Sequence, residues 1–408
     1  MRPASNRKAQ RAQIFVLFAL SLPVLLGFMG LGIDLGFAFV ERTNLSKAVD
    51  AAALAAMRNI NQGPAQATAI ARSAFNTNYG LGIGRDTNPP VLNVVIGTDA
   101  TNNSTVNVNA TATINTFFLR ILSGFKTLKI SSNAQATRPK LIMSLVLDRS
   151  GSMNLNGGAQ ALPSAVDNFL TYFDNANDQI ADVSYASLAS VDVPIQTNFV
   201  TPITNAVGRM AFGGATYSQS ALLAGQTQIN KIVVAPGANV VKVAVFFTDG
   251  WANTVQNTLN CPKSTLLNFG GCSPPESAAN WCSNPPSNIF WMDPNSGNTF
   301  NNSACNATQF LSQQYGNEPL TQLNVANDAM YRALQVANNM RAQNIVIYSI
   351  GLGDKISQAF LQQIANDPAS STFNANAPVG QAVFAATAAD LQGVFQTIAA
   401  KILLRLSQ

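Results

Sequence analysis

An uncharged apolar run near the N-terminus constrains the fold of this chain more than any other feature. The run extends over 20 residues, 14–33. At about 1.5 Å per residue, a helix of this length covers roughly 30 Å, the thickness of the hydrocarbon core of a bilayer. A cleaved signal peptide would have a shorter apolar core, with a small-residue cleavage site directly behind it. Because the first small-residue cluster, residues 51–56, comes well downstream, we predict an uncleaved membrane-spanning anchor.

Basic residues precede this run. Arg7, Lys8 and Arg11 lie on its N-terminal side, and positive charge next to a span favours the cytoplasmic side of the membrane. The sequence therefore predicts a single-pass protein with a cytoplasmic tail, residues 1–13, and an exported body after Val40.

One carboxylate, Asp34, follows the apolar run directly. It can lie at the membrane interface, or it can contact a polar group on a partner helix, since ionisable residues at membrane depth tend to face other protein. The small residues that would permit close helix approach are Gly27, Gly30, Gly32 and Gly36. The sequence leaves both interpretations open.

The anchor is predicted to continue as a helix into a small connecting region. Apolar residues recur at helical spacing on one face, at Leu45, Val49, Ala52 and Ala56. That face can pack on this protein's own domain or on a partner. Beyond it, the patterns indicate one helix and two strands, at residues 66–79, 91–96 and 105–115. We therefore divide this part into an anchor with its helical extension, 14–59, and a small mixed α/β region, 60–138.

Two apolar runs of strand length each end in an acidic residue. Residues 141–147 lead into Asp148, and residues 241–248 lead into Asp249. Buried parallel strands present ligand-binding groups at their carboxyl ends. We therefore expect the two acids to lie close together at one edge of a sheet.

Three hydroxyl side chains accompany these acids. Ser150 and Ser152 follow the first acid within five residues, and Thr216 follows a pair of glycines just before a predicted helix at 218–230. Carboxylates and hydroxyls are hard oxygen ligands, the kind that Mg²⁺, Mn²⁺ and Ca²⁺ accept. The sequence therefore predicts a divalent metal site formed by Asp148, Ser150, Ser152, Thr216 and Asp249.

The rest of the body alternates strand and helix patterns. Further strands are predicted at residues 180–186, 194–200 and 344–350, and helices at residues 161–173, 323–341, 356–364 and 388–406. Such alternation is typical of an α/β fold with a doubly wound, mostly parallel sheet, here over residues 139–408.

A long insert, residues 250–320, interrupts this body. Loops of this length inside a compact domain are usually functional or disordered. The insert contains all three tryptophans and all four cysteines, Cys261, Cys272, Cys282 and Cys305. Zinc sites require closer cysteine pairs than these, which are separated by 10, 9 and 22 residues. We therefore predict disulfides, in any of three pairings, in an oxidising compartment. The insert is either a stapled cap or a partner-binding surface beside the metal.

Several functions are disfavoured by what the sequence lacks. There is no histidine, which removes Ser-His-Asp and Cys-His catalysis together with histidine-based zinc sites. No Gly-x-x-x-x-Gly-Lys-Ser/Thr loop is present for a nucleotide. The net charge of +5 is spread along the chain rather than gathered into a basic stripe, so nucleic acid is not an expected partner.

Three segments, 148–153, 213–216 and 248–249, in this order resemble the metal-ion-dependent adhesion site of von Willebrand factor A domains. The resemblance implies that the two serines and the threonine ligate the metal, most simply Mg²⁺. It implies that the two aspartates hold the ion directly or through water. It also implies that one coordination position stays open to an acidic group of a partner. Ala215, between the second glycine and Thr216, departs from the family's pattern, so Thr216 is the weakest match.

The anchor, with Gly30-Leu31-Gly32-Ile33-Asp34-Leu35-Gly36 and the alanine-rich residues 50–56, resembles TadG-like proteins of the Flp (tight-adherence) pilus assembly system. That family joins such an anchor to a von Willebrand A domain outside the cytoplasmic membrane. The resemblance implies a bacterial inner-membrane protein whose body is periplasmic or extracellular. It also implies a non-enzymatic role in pilus assembly or anchoring, through contacts with other pilus proteins at the metal and at the transmembrane helix.

Two other functions stay open from the sequence. One is a membrane-tethered adhesin that binds a host or matrix protein. The other is a metal-dependent hydrolase, although no general base with a plausible partner is visible.

Overall fold

The computed structural model describes residues 7–80, 89–101, 103–121, 124–256, 289–291 and 322–406. The chain forms two compact units. The first comprises residues 1–100 and 104–138, and the second comprises residues 101–103 and 139–408. The four cysteines, and with them the predicted disulfides, lie outside the described residues.

A single helix of 52 residues, α1 (Arg7–Arg58), contains both the predicted span and its extension. The described apolar side chains between Phe15 and Met29 are exposed on every side. The helix is long and apolar enough to cross a membrane. From Gly30 onward one face of α1 becomes buried, at intervals of three or four residues.

The buried face of α1 packs within the first unit. Its partners are α2 (Pro64–Asn78) and a three-stranded antiparallel sheet, in which the order is β1 (Val91–Thr98), β2 (Ser104–Asn115), β3 (Thr127–Arg138). Leu45, Val49, Ala52 and Ala56, the residues at helical spacing, are all fully buried in this core. Of the two interpretations that the sequence left open, the structure therefore shows packing on the protein's own domain. Strand β3 was not predicted.

Asp34 is buried against residues of its own unit. It is 1% exposed, and its carboxylate accepts hydrogen bonds from the backbone N–H groups of Phe117, Phe118 and Leu119 at 2.6–3.0 Å. The sequence did not indicate this contact, because the donors are backbone groups 83–85 positions away, which no side-chain pattern reveals.

The second unit is built on a six-stranded sheet. Its strands are β4 (Lys140–Asp148), β5 (Gln179–Tyr185), β6 (Ala189–Gln196), β7 (Val240–Thr248), β10 (Ile345–Leu352) and β11 (Gln381–Ala385). The order across the sheet is β11-β10-β7-β4-β5-β6, and only the edge strand β6 runs antiparallel to its neighbour. A separate ribbon pairs β8 (Thr254–Gln256) with β9 (Ile289–Trp291). The predicted doubly wound, mostly parallel sheet is confirmed.

Helices cover both faces of this sheet. On one face pack α3 (Gly158–Leu170), α4 (Val200–Val207) and α8 (Leu391–Leu406). On the other pack α5 (Ser218–Asn230), α6 (Gln322–Ala342) and α7 (Gln358–Ala365). Each face buries one apolar cluster, so the strands between them read as continuous hydrophobic runs.

The predicted strand at residues 194–200 is wrong beyond Gln196. Asn198 has a φ of 54°, which no strand residue adopts, and it turns the chain away from the sheet. The Asn175 side chain then accepts the backbone N–H of Val200 at 3.1 Å, so this residue begins helix α4. The turn at Asn198 therefore ends the strand, although the two residues that follow it are apolar.

Candidate metal centre

Asp148 and Asp249 lie at the carboxyl ends of two neighbouring strands, at the point where the strand order of the sheet reverses. From β4 the chain adds β5 on one side and β7 on the other, so the carboxyl ends of β4 and β7 frame the crevice at which α/β sheets bind ligands. Asp148 ends β4, and Asp249 directly follows β7. Both acids are fully buried. The expectation that they share one edge of the sheet agrees with these positions.

The turn after β4 folds back onto Asp249. The Ser150 backbone N–H donates to Asp148 Oδ1 at 2.7 Å, which closes the turn. Ser150 Oγ and Ser152 Oγ then lie 3.0 Å apart, and they approach Asp249 Oδ1 at 3.4 and 2.7 Å. Four of the five predicted ligands are thus in direct contact.

The spacing of these oxygens fits one small cation. Mg²⁺ holds oxygen ligands at about 2.1 Å in octahedral geometry, which places adjacent ligands about 3 Å apart. Ser150 Oγ, Ser152 Oγ and Asp249 Oδ1 form a triangle with edges of 3.0, 2.7 and 3.4 Å. The three oxygens can therefore supply one triangular face of an octahedral site.

Thr216 lies on a neighbouring loop that is hydrogen-bonded to the same turn. The Gly151 N–H donates to the Gly214 carbonyl at 3.1 Å, and the Gly213 N–H donates to the Arg149 carbonyl at 2.8 Å. Gly214 has a φ of 90°, and a Cβ there would lie 2.8 Å from Ser187 Oγ, so glycine is required. Within the described residues, no hydrogen bond joins the Thr216 hydroxyl to the other four predicted ligands.

The two carboxylates repel each other inside the protein. Burial raises the pKa of Asp148 to about 7, with a further contribution from the charge of Asp249. Burial also raises the pKa of Asp249. In the described parts of the chain, the hydrogen bonds to both acids come from backbone, hydroxyl and amide groups rather than from a cationic side chain. A divalent cation would supply the missing positive charge.

The cluster depends on hydroxyls as much as on acids. Among the described residues, no group of three or more His, Cys, Asp or Glu side chains could hold a metal. A site with two carboxylates and several neutral oxygens suits Mg²⁺, Mn²⁺ or Ca²⁺ rather than a soft metal.

Sequence reasoning did not identify three residues that support the oxygen cluster. Thr248 Oγ1 donates to Asp148 Oδ2 at 2.7 Å, and Asn156 Nδ2 donates to Asp249 Oδ2 at 3.0 Å. Asn253 holds the Thr216 backbone from both sides, at 2.8 Å through its amide oxygen and at 3.1 Å through its N–H. Thr248 was visible as the last strand residue before an acid, whereas nothing in the sequence marks the two asparagines.

Comparison with protein families identifies the class. Residues 143–251 match the von Willebrand factor type A domain family, and the site described above falls within that segment and its neighbours. Residues 12–59 match the Flp pilus-assembly TadE/G-like family. The chain therefore carries a TadE/G-like N-terminal segment followed by a von Willebrand factor A domain. Comparison with curated proteins gives no match.

Several solved structures resemble the chain at low identity. The SpaC pilus adhesin of Lactobacillus rhamnosus GG is 14% identical with a TM-score of 0.44, over 77% of this chain and 35% of SpaC. The PilB minor pilin of Streptococcus sanguinis is 14% identical with a TM-score of 0.42, over 78% of this chain and 79% of PilB. A von Willebrand factor type A protein of Catenulispora acidiphila is 14% identical with a TM-score of 0.38, over 79% and 52%. The chain thus spans about a third of the length of SpaC.

Proposed function

We propose that this protein is a non-enzymatic, membrane-anchored component of Flp/Tad pilus assembly or anchoring. It contacts other pilus proteins through a divalent cation held at a metal-ion-dependent adhesion site. The observation that carries the proposal is the oxygen triangle of Ser150, Ser152 and Asp249 at the switch point of the sheet. A von Willebrand A domain behind a TadE/G-like segment supports the pilus context.

Different roles in metal binding follow from the hydrogen bonds. Ser150, Ser152 and Asp249 bind the cation directly, with Mg²⁺ the best fit to their spacing. Asp148 acts through water, because both of its oxygens already accept hydrogen bonds from Ser150 and Thr248. Thr216 approaches from its glycine loop as the remaining protein ligand. An acidic side chain of a pilus protein completes the coordination.

The anchor sets the location. In this proposal α1 crosses the bacterial inner membrane once, with residues 1–13 in the cytoplasm and both folded units in the periplasm or outside the cell. The exposed apolar side chains of α1 before Gly30 support this arrangement, since lipid rather than water would solvate them. The same exposed surface can contact a transmembrane helix of another pilus protein.

Crosslinking followed by pull-down from membranes tests the proposal. Wild-type protein, Asp249→Ala and the control Asp192→Ala would be compared with and without a chelator. Asp192 is exposed on β6, so its removal changes the charge but not the oxygen cluster. We expect pilus proteins to be captured by the wild type and by the control in Mg²⁺, and to be lost with chelator and in Asp249→Ala.

Other results would contradict the proposal. Capture that persists in Asp249→Ala and with chelator would show that the cation has no part in the contact. Divalent-dependent capture of matrix proteins, with no pilus protein, would favour the adhesin. A further result would be hydrolysis of a peptide or a phosphate ester by the purified protein with Mg²⁺. If Asp148→Ala abolished that hydrolysis, the protein would be a metal-dependent hydrolase rather than a binding protein.

A further inference from the structure

An exposed apolar loop joins β2 to β3 in the first unit; we call residues 116–126 the β2–β3 loop. Four of its large apolar side chains are exposed, namely Phe117 (45%), Phe118 (46%), Ile121 (81%) and Phe125 (53%). Apolar side chains gathered in this way on a surface indicate a binding site for protein or lipid. Either protein or lipid is therefore expected to cover these four side chains.

The β2–β3 loop is fixed to α1 at one height. Phe118 packs directly on Gly30, where a Cβ atom would lie 2.6 Å from the Phe118 Cβ. The rings of Phe37 and Phe117 meet edge to face, with their centroids 5.3 Å apart. Asp34 accepts the three consecutive N–H groups of residues 117–119. These contacts leave the loop little freedom to move along the helix.

Under the proposed function, on which this inference rests, α1 crosses the bilayer. The position of the loop along α1 is then the boundary of the membrane. Gly30 lies three residues before the end of the apolar run at Ile33, which is about 5 Å along the helix. Phe118, seated on Gly30, therefore lies at the depth where the acyl chains meet the headgroups. Phe118 lies against Gly30, and the apolar neighbours of Gly30 in α1, Met29 and Leu31, are exposed as well.

The polar groups of the loop suit this position. Arg120 and Lys126 of the loop and Lys129 of β3 are exposed, and no acidic residue occurs between residues 116 and 138. Anionic headgroups attract such charges. Backbone N–H groups without a partner are costly near hydrocarbon. Asp34 removes that cost at three of them.

We propose that the β2–β3 loop is a second membrane contact, which inserts Phe118, Ile121 and Phe125 into the boundary of the bilayer that α1 crosses. Arg120 and Lys126 then face anionic headgroups. Because the loop and α1 enter the same leaflet at fixed relative positions, the first unit is held against the membrane surface rather than tethered by the helix alone.

Quenching by brominated lipids tests the insertion. The full chain would be reconstituted into vesicles of phosphatidylethanolamine and phosphatidylglycerol, containing phosphatidylcholine brominated either near the headgroup or deep in the chain. Single tryptophans would be introduced as Ile121→Trp, as Leu26→Trp inside the span, and as Leu54→Trp. Leu54 is an exposed residue of α1 that lies about 30 Å beyond the span. The emission of the three native tryptophans is measured on the unmodified protein and subtracted.

We expect the Ile121→Trp emission to fall, and to fall more with the shallow bromine than with the deep one. Leu26→Trp should respond most to the deep bromine, and Leu54→Trp should respond to neither. If Leu26→Trp is quenched but Ile121→Trp is not, lipid does not cover the loop, and the inference is wrong while the anchor stands. If Leu26→Trp is not quenched, the membrane-spanning part of the proposed function fails. Equal quenching of Leu54→Trp and Ile121→Trp also overturns the inference, because contact would not depend on depth.

Discussion

A buried acid lies in the sheet that carries the candidate metal centre. Asp182 is on β5 and fully buried, and neither carboxylate oxygen has a hydrogen-bond partner among the described residues. The pairing of β5 with β6 is irregular at this residue. We predict that Asp182→Asn, which keeps the shape but cannot ionise, stabilises the second unit at neutral pH.

The size of the effect follows from the pKa. Burial raises the pKa of Asp182 to about 8, with a smaller contribution from the charge of Asp192. In the unfolded chain the same group titrates near 3.8. Because the folded-state pKa is the higher one, the unfolded state loses its proton first, and stability falls as pH rises from about 4 to about 8. At 1.36 kcal/mol per unit, the loss reaches about 4 kcal/mol at pH 7.

Urea unfolding of the full chain in detergent measures this difference. All three tryptophans (Trp251, Trp281, Trp291) belong to the second unit, so their fluorescence reports on that unit in the full-length protein. The variant should match the wild type near pH 4 and exceed it by up to about 4 kcal/mol at pH 7.

A second buried acid supplies the matched control. Asp178 is also fully buried, but its carboxylate accepts the backbone N–H groups of Leu141 and Asp174 at 3.1 and 2.8 Å. Asp178→Asn turns an amide N–H₂ toward one of these donors, so it should destabilise the unit by about 1–3 kcal/mol. The prediction is refuted if Asp182→Asn is less stable than the wild type at pH 7. It is also refuted if the free energies of unfolding of Asp182→Asn and of the wild type depend equally on pH.

Three further predictions concern the metal, the loop and the sheet. Saturating Mg²⁺, at about 100 times its Kd, should stabilise the second unit by roughly 2.7 kcal/mol in the same urea assay, and the effect should vanish in Asp249→Ala; stabilisation that survives there would place the ion elsewhere. Asp34→Leu leaves three N–H groups without their acceptor, so trypsin should cleave after Arg120 and Lys126 several-fold faster in detergent; unchanged cleavage would mean that Asp34 does not hold the loop. Gly380→Ala should prevent accumulation of folded protein in expression tests, because a Cβ would collide with a carbonyl oxygen of β10; a variant with native stability would contradict that contact.

The sequence alone determined the features that repeat along the chain. The apolar run of residues 14–33, the helical spacing from Leu45 to Ala56 and the uninterrupted strands before Asp148 and Asp249 are all local patterns, and the structure has elements at each place. The alternation of strands and helices indicated a doubly wound sheet, because a buried parallel strand must be apolar on both faces. Four of the five candidate ligands could be named because they lie at or just after strand ends, and Thr216 could be named because it follows a pair of glycines.

Only the tertiary structure decided which groups meet through space. Thr248 bonds to Asp148 across 100 positions, and Asp34 binds a loop more than 80 positions away. Neither contact produces a repeating pattern of residues in the sequence, because a hydrogen bond requires only one donor and one acceptor in the right geometry. The antiparallel direction of β6 depended likewise on how the chain turns between Tyr185 and Ala189 to reach the sheet edge. Local patterns thus determine the elements, whereas the convergence of single side chains depends on how those elements pack.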